Sequence, residues 1–506
     1  MTIFVLLGPM VIQSFAQDTS PSPSPSPIPS PTLTPETSPT PLVSPSPISP
    51  VFTPPESTIL NPTPQEVGGQ GTAEVPRIDS GNAAWMLICS ALVLLMTPGL
   101  AFFYGGLVRS RNVLNTMMMS FMTMAIVGVI WILWGYSLAF APNSIAPGAI
   151  PPYETSPILG SLNWAFLRDV AFNQPDPIGY APTIPHQLFM IYQMMFAIIA
   201  PAIISGAIVE RVSFKAYFWF IILWSTFIYS PLVHWVWGKG WLETMGVLDF
   251  AGGTVIHISS GVSALVAAWV LGARKTYPHQ TNAPHNIPYA LLGIALLWFG
   301  WLGLNGGRAL ASGELATVAI VATTAAAAAG GLTWSIMEWV LKGKPSTIGI
   351  ASGFLAGLVS ITPAAGYVTP MGALLIGSIA CFGCFWAVNW RVKWKFDDSL
   401  DTFSIFGVGG TIGTILTGFF ATKEVNSAGS DGLLYGNPGL IISQFGGVIA
   451  TVIFAAVGTL IIWKLLGLVM PLRVKPVAED EGLDINEHGE EGYGEEFISQ
   501  LTLGND

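Results

Sequence analysis

Asp249 and His257, two residues able to do chemistry, share one apolar stretch of the chain, eight positions apart. A carboxylate at membrane depth is costly, so it either caps the N-terminus of a helix or acts on a charged or proton-carrying solute. An imidazole in apolar surroundings is expected to stay neutral, and it can then accept at one nitrogen and donate at the other. The alternatives, a capping aspartate and a packed core histidine, remain open from the residue types alone.

Trp237 ends another apolar run, in the sequence Trp235-Val236-Trp237-Gly238. The face of an indole attracts a cation by roughly 0.5–2 kcal/mol, which makes Trp237 a candidate cation site. The alternative is a tryptophan of the membrane interface. No metal site is expected, because the pair Cys381 and Cys384 has no second CxxC to complete it.

These side chains must be positioned by helices in a lipid bilayer. The chain has 506 residues, of which 51% are apolar and only 9% charged, against roughly 25% charged in soluble domains. Runs long enough to cross a hydrocarbon core of about 30 Å recur from residue 83 onward. Eleven such spans are predicted, at residues 83–108, 113–140, 186–209, 216–235, 249–272, 288–305, 314–341, 347–366, 370–390, 402–421 and 440–470.

The distribution of basic residues predicts the orientation of the spans. Fourteen of the nineteen basic residues lie in every second loop or near the end of the chain, namely Arg109, Arg111, Arg211, Lys215, Arg274, Lys275, Lys342, Lys344, Arg391, Lys393, Lys395, Lys464, Arg473 and Lys475. Positive charge marks the cytoplasmic side of a membrane. The predicted fold is therefore an all-α membrane protein with its N-terminus outside and its C-terminus in the cytoplasm.

An odd number of spans allows two inverted five-helix repeats plus one extra helix. A faint similarity supports this arrangement, since Asp249 opens the fifth span before Gly252-Gly253-Thr254, and Asp401 opens the tenth before Gly409-Gly410-Thr411. Inverted repeats usually place the substrate path at the midplane between the two halves.

The two ends of the chain differ from its middle. Residues 1–16 resemble a signal peptide, with an apolar stretch and a small-x-small cleavage pattern. Residues 17–80 are rich in Pro, Ser and Thr and are predicted to be a disordered external segment. The membrane domain is expected over residues 81–470, followed by a cytoplasmic tail over 471–506.

Several ordered motifs resemble the ammonium transporter family. They are MTPGLAFFYGGLVR at 96–109, GAIVER at 206–211, LDFAGGTVIH at 248–257, TPAAGY at 362–367, Asp397-Asp398, and EGLDINEHGE at 481–490. The resemblance covers residues 81 to about 493. It implies uptake of ammonium or ammonia through a narrow pore in each protomer of a homotrimer in a cell membrane, the plasma membrane of a bacterium.

The resemblance also implies roles for individual residues. The residues expected to bind substrate are Trp237, Phe196, Asp249 and Arg308. Those expected to line the pore are His257, Leu304, Phe406 and Trp301. The expected partners are ammonium or ammonia, the lipid bilayer and a regulatory protein at the cytoplasmic tail. No cofactor, no enzymatic activity and no nucleic-acid partner are expected.

Three residues depart from the family's pattern. Phe406 stands where a second pore histidine is usual, Leu304 where the inner of two gating phenylalanines is usual, and Arg308 where a serine near the incoming cation is usual. Together these changes predict weak or absent uptake, unless Arg308 pairs with Asp249 or Glu314. They keep open the alternative of a non-conducting member that senses ammonium or acts as a regulatory subunit in a trimer.

Overall fold

The structure, a computed structural model, describes residues 77–143, 155–278, 283–394 and 396–493. The predicted signal peptide and nearly all of the predicted external segment lie outside the described residues. Within those ranges the regular secondary structure is helical, apart from one isolated antiparallel β-bridge between Val212 and Arg473.

Ten helices of the described residues are long and apolar enough to cross a membrane, and an eleventh apolar helix is shorter, with 15 residues. All eleven coincide with predicted spans. They are α1 (Ser80–Leu107), α2 (Ser110–Phe140), α3 (His186–Ile208), α4 (Phe214–Thr244), α5 (Gly253–Leu271), α6 (Ile287–Gly307), α7 (Glu314–Lys342), α8 (Thr347–Ile361), α9 (Pro370–Arg391), α10 (Phe403–Phe420) and α11 (Gly439–Val469).

Helix α3 lies at the centre of the bundle, and nearly all of its side chains are buried. Helices α1 and α6 pack closely beside it, because glycines remove side chains from their contact. A Cβ atom on Gly293 of α6 would lie only 2.2 Å from the backbone nitrogen of Phe103 in α1. This close packing holds the part of α6 that carries Trp301 and Leu304 in the core.

Helices α5 and α10 both begin with a π-helical turn, Gly253–Ile258 and Phe403–Gly407. The two helices cross where a Cβ atom on Gly261 would lie 2.2 Å from the backbone nitrogen of Gly407, and one on Gly410 would lie 2.9 Å from Cβ of His257. The chains run in opposite directions at this crossing, since later residues of α5 face earlier residues of α10. The crossing brings His257 and Phe406 together.

The start of α10 differs from the prediction. Asp398, not Asp401, accepts hydrogen bonds from the first N–H groups of the helix, those of Thr402 (3.0 Å) and Phe403 (2.8 Å). Asp401 instead has a left-handed backbone (φ 58°) and pairs with Arg391 at 2.6 Å. The two Gly-Gly-Thr sequences also occupy different positions. Gly252-Gly253-Thr254 spans the start of α5, whereas Gly409-Gly410-Thr411 lies inside α10. The two helices instead share an aspartate that caps their start, Asp249 for α5 and Asp398 for α10.

Residues 470–493 fold back against the end of the bundle where α3 ends and α4 begins, called the Glu210 end after the residue between these two helices. They include a short helix, α12 (Pro476–Glu481). Asp484 accepts the N–H groups of Leu114 (3.1 Å) and Asn115 (2.8 Å) in the first turn of α2. Glu487 accepts the N–H of Phe214 at the start of α4 (2.9 Å). Acidic side chains stabilise helix N-termini, so the tail is held by the ends of its own helices.

Candidate functional site

Trp237 is the last residue before α4 breaks at Gly238. Its indole N–H donates to the backbone carbonyl of Asp249 at 2.8 Å, which fixes the plane of the ring. The edge of the Phe196 ring meets Trp237 at a centroid distance of 5.8 Å and an interplanar angle of 88°. The structure therefore brings together Trp237 and Phe196, two of the residues expected to bind substrate.

Asp249 caps the N-terminus of α5. Its carboxylate accepts the N–H groups of Gly252 (2.8 Å), Gly253 (2.7 Å) and Thr254 (2.7 Å), and the Thr254 hydroxyl as well. Gly252 makes this possible, because its φ of 117° suits a residue without a side chain. The geometry of this buried carboxylate is that of a helix cap, and its backbone carbonyl also positions Trp237.

Arg308 follows α6 directly and is half-buried. It forms no ion pair with Asp249 or Glu314 among the described residues, so the pairing considered from the sequence is absent there. Its guanidinium carbon lies 4.7 Å from the centroid of the Trp237 ring. Burial lowers the pKa of Arg308, yet a guanidinium stays charged in proteins.

Leu304 and Trp301 lie one turn apart on α6 and are both buried. The hydroxyl of Tyr192 donates to the carbonyl of Leu304 at 2.8 Å and thus ties α6 to α3. The indole N–H of Trp301 donates to the hydroxyl of Thr362 at 2.9 Å. Because this donor is satisfied, Trp301 presents its apolar ring to the interior.

His257 lies between two aromatic rings. The ring centroids of Trp301 and Phe406 are 5.5 Å and 5.8 Å from that of His257. Within the described part of the chain, Nδ1 of His257 is buried and has no hydrogen-bond partner. A buried polar atom without a partner costs about 1–3 kcal/mol, so a small polar molecule beside His257 would relieve that cost.

Three cavities are lined by these residues. The Trp237 cavity, about 710 Å³, is lined by Trp237, Asp249 and Arg308 among others. The His257 cavity, about 10 Å³, is lined by Met96, Leu100, Ile199, Ile203, Ile256, His257, Leu297, Trp301, Leu304 and Phe406. The Asp401 cavity, about 220 Å³, is lined on its inner side by Phe406 and by Asp401 and Arg391.

The size of the His257 cavity sets what it can hold. On this measure a single water molecule needs roughly 10–15 Å³, so the cavity has room for about one molecule of that size. Apart from His257 and the indole of Trp301, its lining consists of aliphatic side chains, the thioether side chain of Met96 and the ring of Phe406. Such a cavity favours a small neutral molecule over an ion, because an ion would lose its hydration without polar replacement.

A cluster of ion pairs holds the Glu210 end of the bundle. The buried Glu210 carboxylate pairs with Arg274 (2.6 Å) and Arg109 (2.9 Å). Burial alone would raise the pKa of Glu210, but Arg274 and Arg109 lower it to about 2. Asp397 also pairs with Arg274 (2.8 Å), which together with Arg211 lowers the pKa of Asp397 despite its burial.

Sequence reasoning missed Asp398 as the residue that caps the N-terminus of α10. The signal was present, because Asp398 precedes Phe406 by eight residues, and Asp249 precedes His257 by the same number. It also missed the position of Arg308, since no spacing rule places a loop residue over the ring of Trp237. Of the predicted site residues, the structure brings Trp237, Asp249 and Arg308 to one cavity and His257, Trp301, Leu304 and Phe406 to another, while Phe196 packs against Trp237.

Comparison with known proteins identifies the relatives of this chain. The family model described as Ammonium Transporter Family matches residues 84–493. An ammonium transporter of Bacillus subtilis (strain 168) is 49% identical over 414 residues, covering 82% of this chain and 98% of that protein. The ammonium transporter Amt1 of Archaeoglobus fulgidus is 44% identical over 416 residues, covering 82% of this chain and all of the relative, 100%.

A solved structure agrees with the fold. The crystal structure of Saccharomyces cerevisiae Mep2 matches with a TM-score of 0.71 and 35% sequence identity. The match covers 79% of this chain and 88% of the Mep2 chain. The likeness therefore extends over nearly the whole described bundle.

Proposed function

Because this chain belongs to the ammonium transporter family, we propose that it moves ammonium across a cell membrane through a pore inside each protomer. The observation that carries the proposal is the set of three cavities lined by Trp237, by His257 and by Asp401, the last two of which share Phe406. The small His257 cavity fits one molecule of the size of water or ammonia.

The proposed orientation puts the Trp237 cavity outside the cell and the Asp401 cavity inside. The bias of basic residues supports an external N-terminus and a cytoplasmic C-terminus with eleven spans. The opposite directions of α5 and α10 at their crossing and the matching caps of Asp249 and Asp398 support two inverted five-helix repeats plus α11. In this proposal residues 1–16 are a signal peptide, 17–80 an external segment and 471–506 a cytoplasmic tail.

The first step of the proposed mechanism is capture at Trp237. The ring face attracts the ion by roughly 0.5–2 kcal/mol, and the Asp249 carboxylate nearby contributes negative charge. The buried ring of Phe196 packs edge-on against the ring of Trp237. In this proposal Phe196 separates the Trp237 cavity from the apolar His257 cavity.

The second step is passage of neutral ammonia through the His257 cavity. An ammonium ion that leaves its proton near Trp237 becomes a molecule that the apolar lining of Leu304, Trp301 and Phe406 tolerates. The unpartnered Nδ1 of His257 is then the hydrogen-bonding atom that meets ammonia midway. Beyond Phe406 the molecule reaches the Asp401 cavity and water.

The proposed assembly is a homotrimer, on family membership alone. The tail that folds against α2 and α4 is the proposed contact for a cytoplasmic regulatory protein, because it joins several helix ends. The alternative of a non-conducting sensor or regulatory subunit is not favoured, since relatives named ammonium transporters are 43–49% identical over most of the chain.

Uptake in a strain without its own ammonium transporters tests the proposal. Under this proposal the full chain should restore growth on low ammonium and accumulate labelled methylammonium, whereas Leu304, Arg308 and Phe406 by themselves predict weak or absent uptake, and this assay decides between the two. His257→Phe at matched membrane levels should reduce uptake about fivefold, since it removes a hydrogen-bonding ring from the path. Absence of uptake by correctly assembled unmodified protein would overturn transport, and ammonium binding by that protein would then favour a sensor.

A further inference from the structure

Trp237 carries a cation of its own. The guanidinium carbon of Arg308 lies 4.7 Å from the centroid of the indole ring, within the range of a cation–π contact. The ring itself is fixed by the hydrogen bond to the Asp249 carbonyl and by the edge of Phe196. Arg308 and Trp237 both line the Trp237 cavity, so this contact lies on the path from the cavity to the interior.

The ring, rather than an acidic partner, holds the guanidinium. The nearest acidic groups that face this cavity are Asp249 and Glu243. Asp249 is engaged by the N-terminus of α5, and Glu243 pairs with Lys239 at 2.8 Å. Among the described residues Nε of Arg308 has no hydrogen-bond partner either. Displacing the guanidinium therefore breaks no ion pair among the described residues.

The side chain has room to leave. Arg308 sits in the loop between α6 and α7, and the adjoining cavity has a volume of about 710 Å³. A long cationic side chain can move its charged end into water while its stem remains in place. The ring face can thus change from covered to open without a change in the helices.

We propose that Arg308 is a tethered competitor that occupies the Trp237 cation site until an external ammonium ion displaces it. This inference rests on the proposed function, because it assigns a specificity-determining residue to the same site. Arg308 then raises the ammonium concentration needed for half-maximal uptake and leaves the maximal rate nearly unchanged. A sodium or potassium ion, which interacts with an aromatic face without the N–H donors of ammonium or guanidinium, competes with the tethered group less well.

A different role for Arg308 would be to hold Trp237 in position. The two roles predict opposite results, since a competitor weakens binding of ammonium and a support strengthens it. Variants that differ in the charge and length of the side chain at position 308 distinguish the two roles further. Arg308→Ser removes both, Arg308→Gln keeps most of the length without the charge, and Arg308→Lys keeps the charge without the planar group that stacks on aromatic rings.

The test measures binding and uptake separately on the full chain. Thermal unfolding of the purified protein is followed against ammonium chloride, with sodium chloride at equal ionic strength as the reference. For Arg308→Ser and Arg308→Gln we expect the apparent Kd for ammonium to fall about tenfold, the effect of a cation–π contact of moderate strength. The KM for methylammonium uptake should fall by a similar factor, with kcat within about twofold.

A double-mutant comparison isolates the ring. Trp237→Leu should change the apparent Kd by less than about threefold when Arg308 is present, and by about tenfold in the Arg308→Ser background, because only there is the ring free for ammonium. Equal effects in both backgrounds would overturn the inference. So would an unchanged or higher Kd in both Arg308→Ser and Arg308→Gln, whichever of the two folds better.

The two hypotheses fail in different ways. If ammonium binding tightens as expected but neither the unmodified protein nor Arg308→Gln takes up methylammonium, transport is wrong and the tethered competitor stands. If uptake is robust and its KM is the same in all Arg308 variants, transport stands and the tethered competitor is wrong.

Discussion

The entrances of α5 and α10 share one construction and differ in one side chain. In each, an aspartate accepts the first N–H groups of a helix that starts with a π-helical turn, and a residue that lines the His257 cavity follows eight positions later. In α5 that residue is His257, and in α10 it is Phe406. Both rings line the same small cavity, with centroids 5.8 Å apart.

The comparison shows that the capping of a helix and the side chain eight residues after the cap can vary independently. The caps act on backbone groups, which every residue type has, so they fix the helix whatever side chain lies two turns on. At the position eight residues after the cap, histidine and phenylalanine share only a planar ring. The framework therefore accepts a polar ring in one half and an apolar ring in the other.

The largest expected effect comes from removing the more extensive cap. Asp249→Ala leaves three buried N–H groups and the Thr254 hydroxyl without their acceptor. At about 1–3 kcal/mol for each unsatisfied group, we expect a loss of at least about 3 kcal/mol in unfolding free energy. Thermal unfolding of the purified protein measures it, and the variant should also fail to transport.

Asp398→Ala is the matched variant at the other entrance. It removes the acceptor of two N–H groups, so the loss should be smaller, about 2 kcal/mol. Equal losses at the two entrances would show that the number of capping bonds does not decide their stability.

The α10 entrance alone adds a buried ion-pair cluster, and Asp397→Asn tests it. The change leaves Arg274 and Arg211 short of a partner and should cost about 3 kcal/mol at pH 7. Because the pKa of Asp397 is lowered from 3.8, its stabilisation is present above pH 3.8 and is lost as the pH falls through the folded pKa.

Unfolding temperatures of Asp397→Asn and the unmodified protein, measured between pH 7 and pH 3, follow this loss. The difference between them should narrow only below about pH 4, since the lowered pKa keeps the carboxylate charged above that value. A difference that shrinks already between pH 7 and pH 5 would assign the effect to another group.

A smaller effect is expected from making the two pore positions alike. Phe406→His adds a second hydrogen-bonding ring beside His257, worth about 1 kcal/mol to a polar molecule in transit, or roughly fivefold in uptake rate. His257→Phe is the reverse change and should lower uptake. If neither change alters methylammonium uptake, the hydrogen-bonding capacity of these two rings does not limit transport.

The smallest effect on stability and uptake is expected from the exposed ion pair at the Trp237 cavity, near the start of α5. Lys239 and Glu243 form an exposed pair, with 49% and 34% of their side chains accessible. Exposed pairs contribute about 0–1 kcal/mol, so Lys239→Ala should change the unfolding temperature and the uptake KM little. A large effect would mean that Lys239, and not Arg308 alone, sets the charge of the Trp237 cavity.

The sequence by itself determined the membrane class and the positions of the ten long apolar helices and the shorter eleventh. Length and apolar content dictate a helix in lipid, because backbone groups must be satisfied within the span. The roles that the resemblance implies for Trp237, Phe196, Asp249, His257, Leu304 and Trp301 stay predictions, and each of these residues lies on a helix or at its cap.

The tertiary structure alone decided what Phe406, Arg308 and Asp398 contact. Phe406 faces His257 because α5 and α10 cross at Gly261 and Gly407, a packing that spacing along one chain segment does not reveal. Arg308 lies over Trp237 because the loop after α6 reaches the end of α4, two elements far apart in sequence. Side-chain contacts between distant segments depend on how helices pack, and a hydrophobic pattern specifies only which residues are buried.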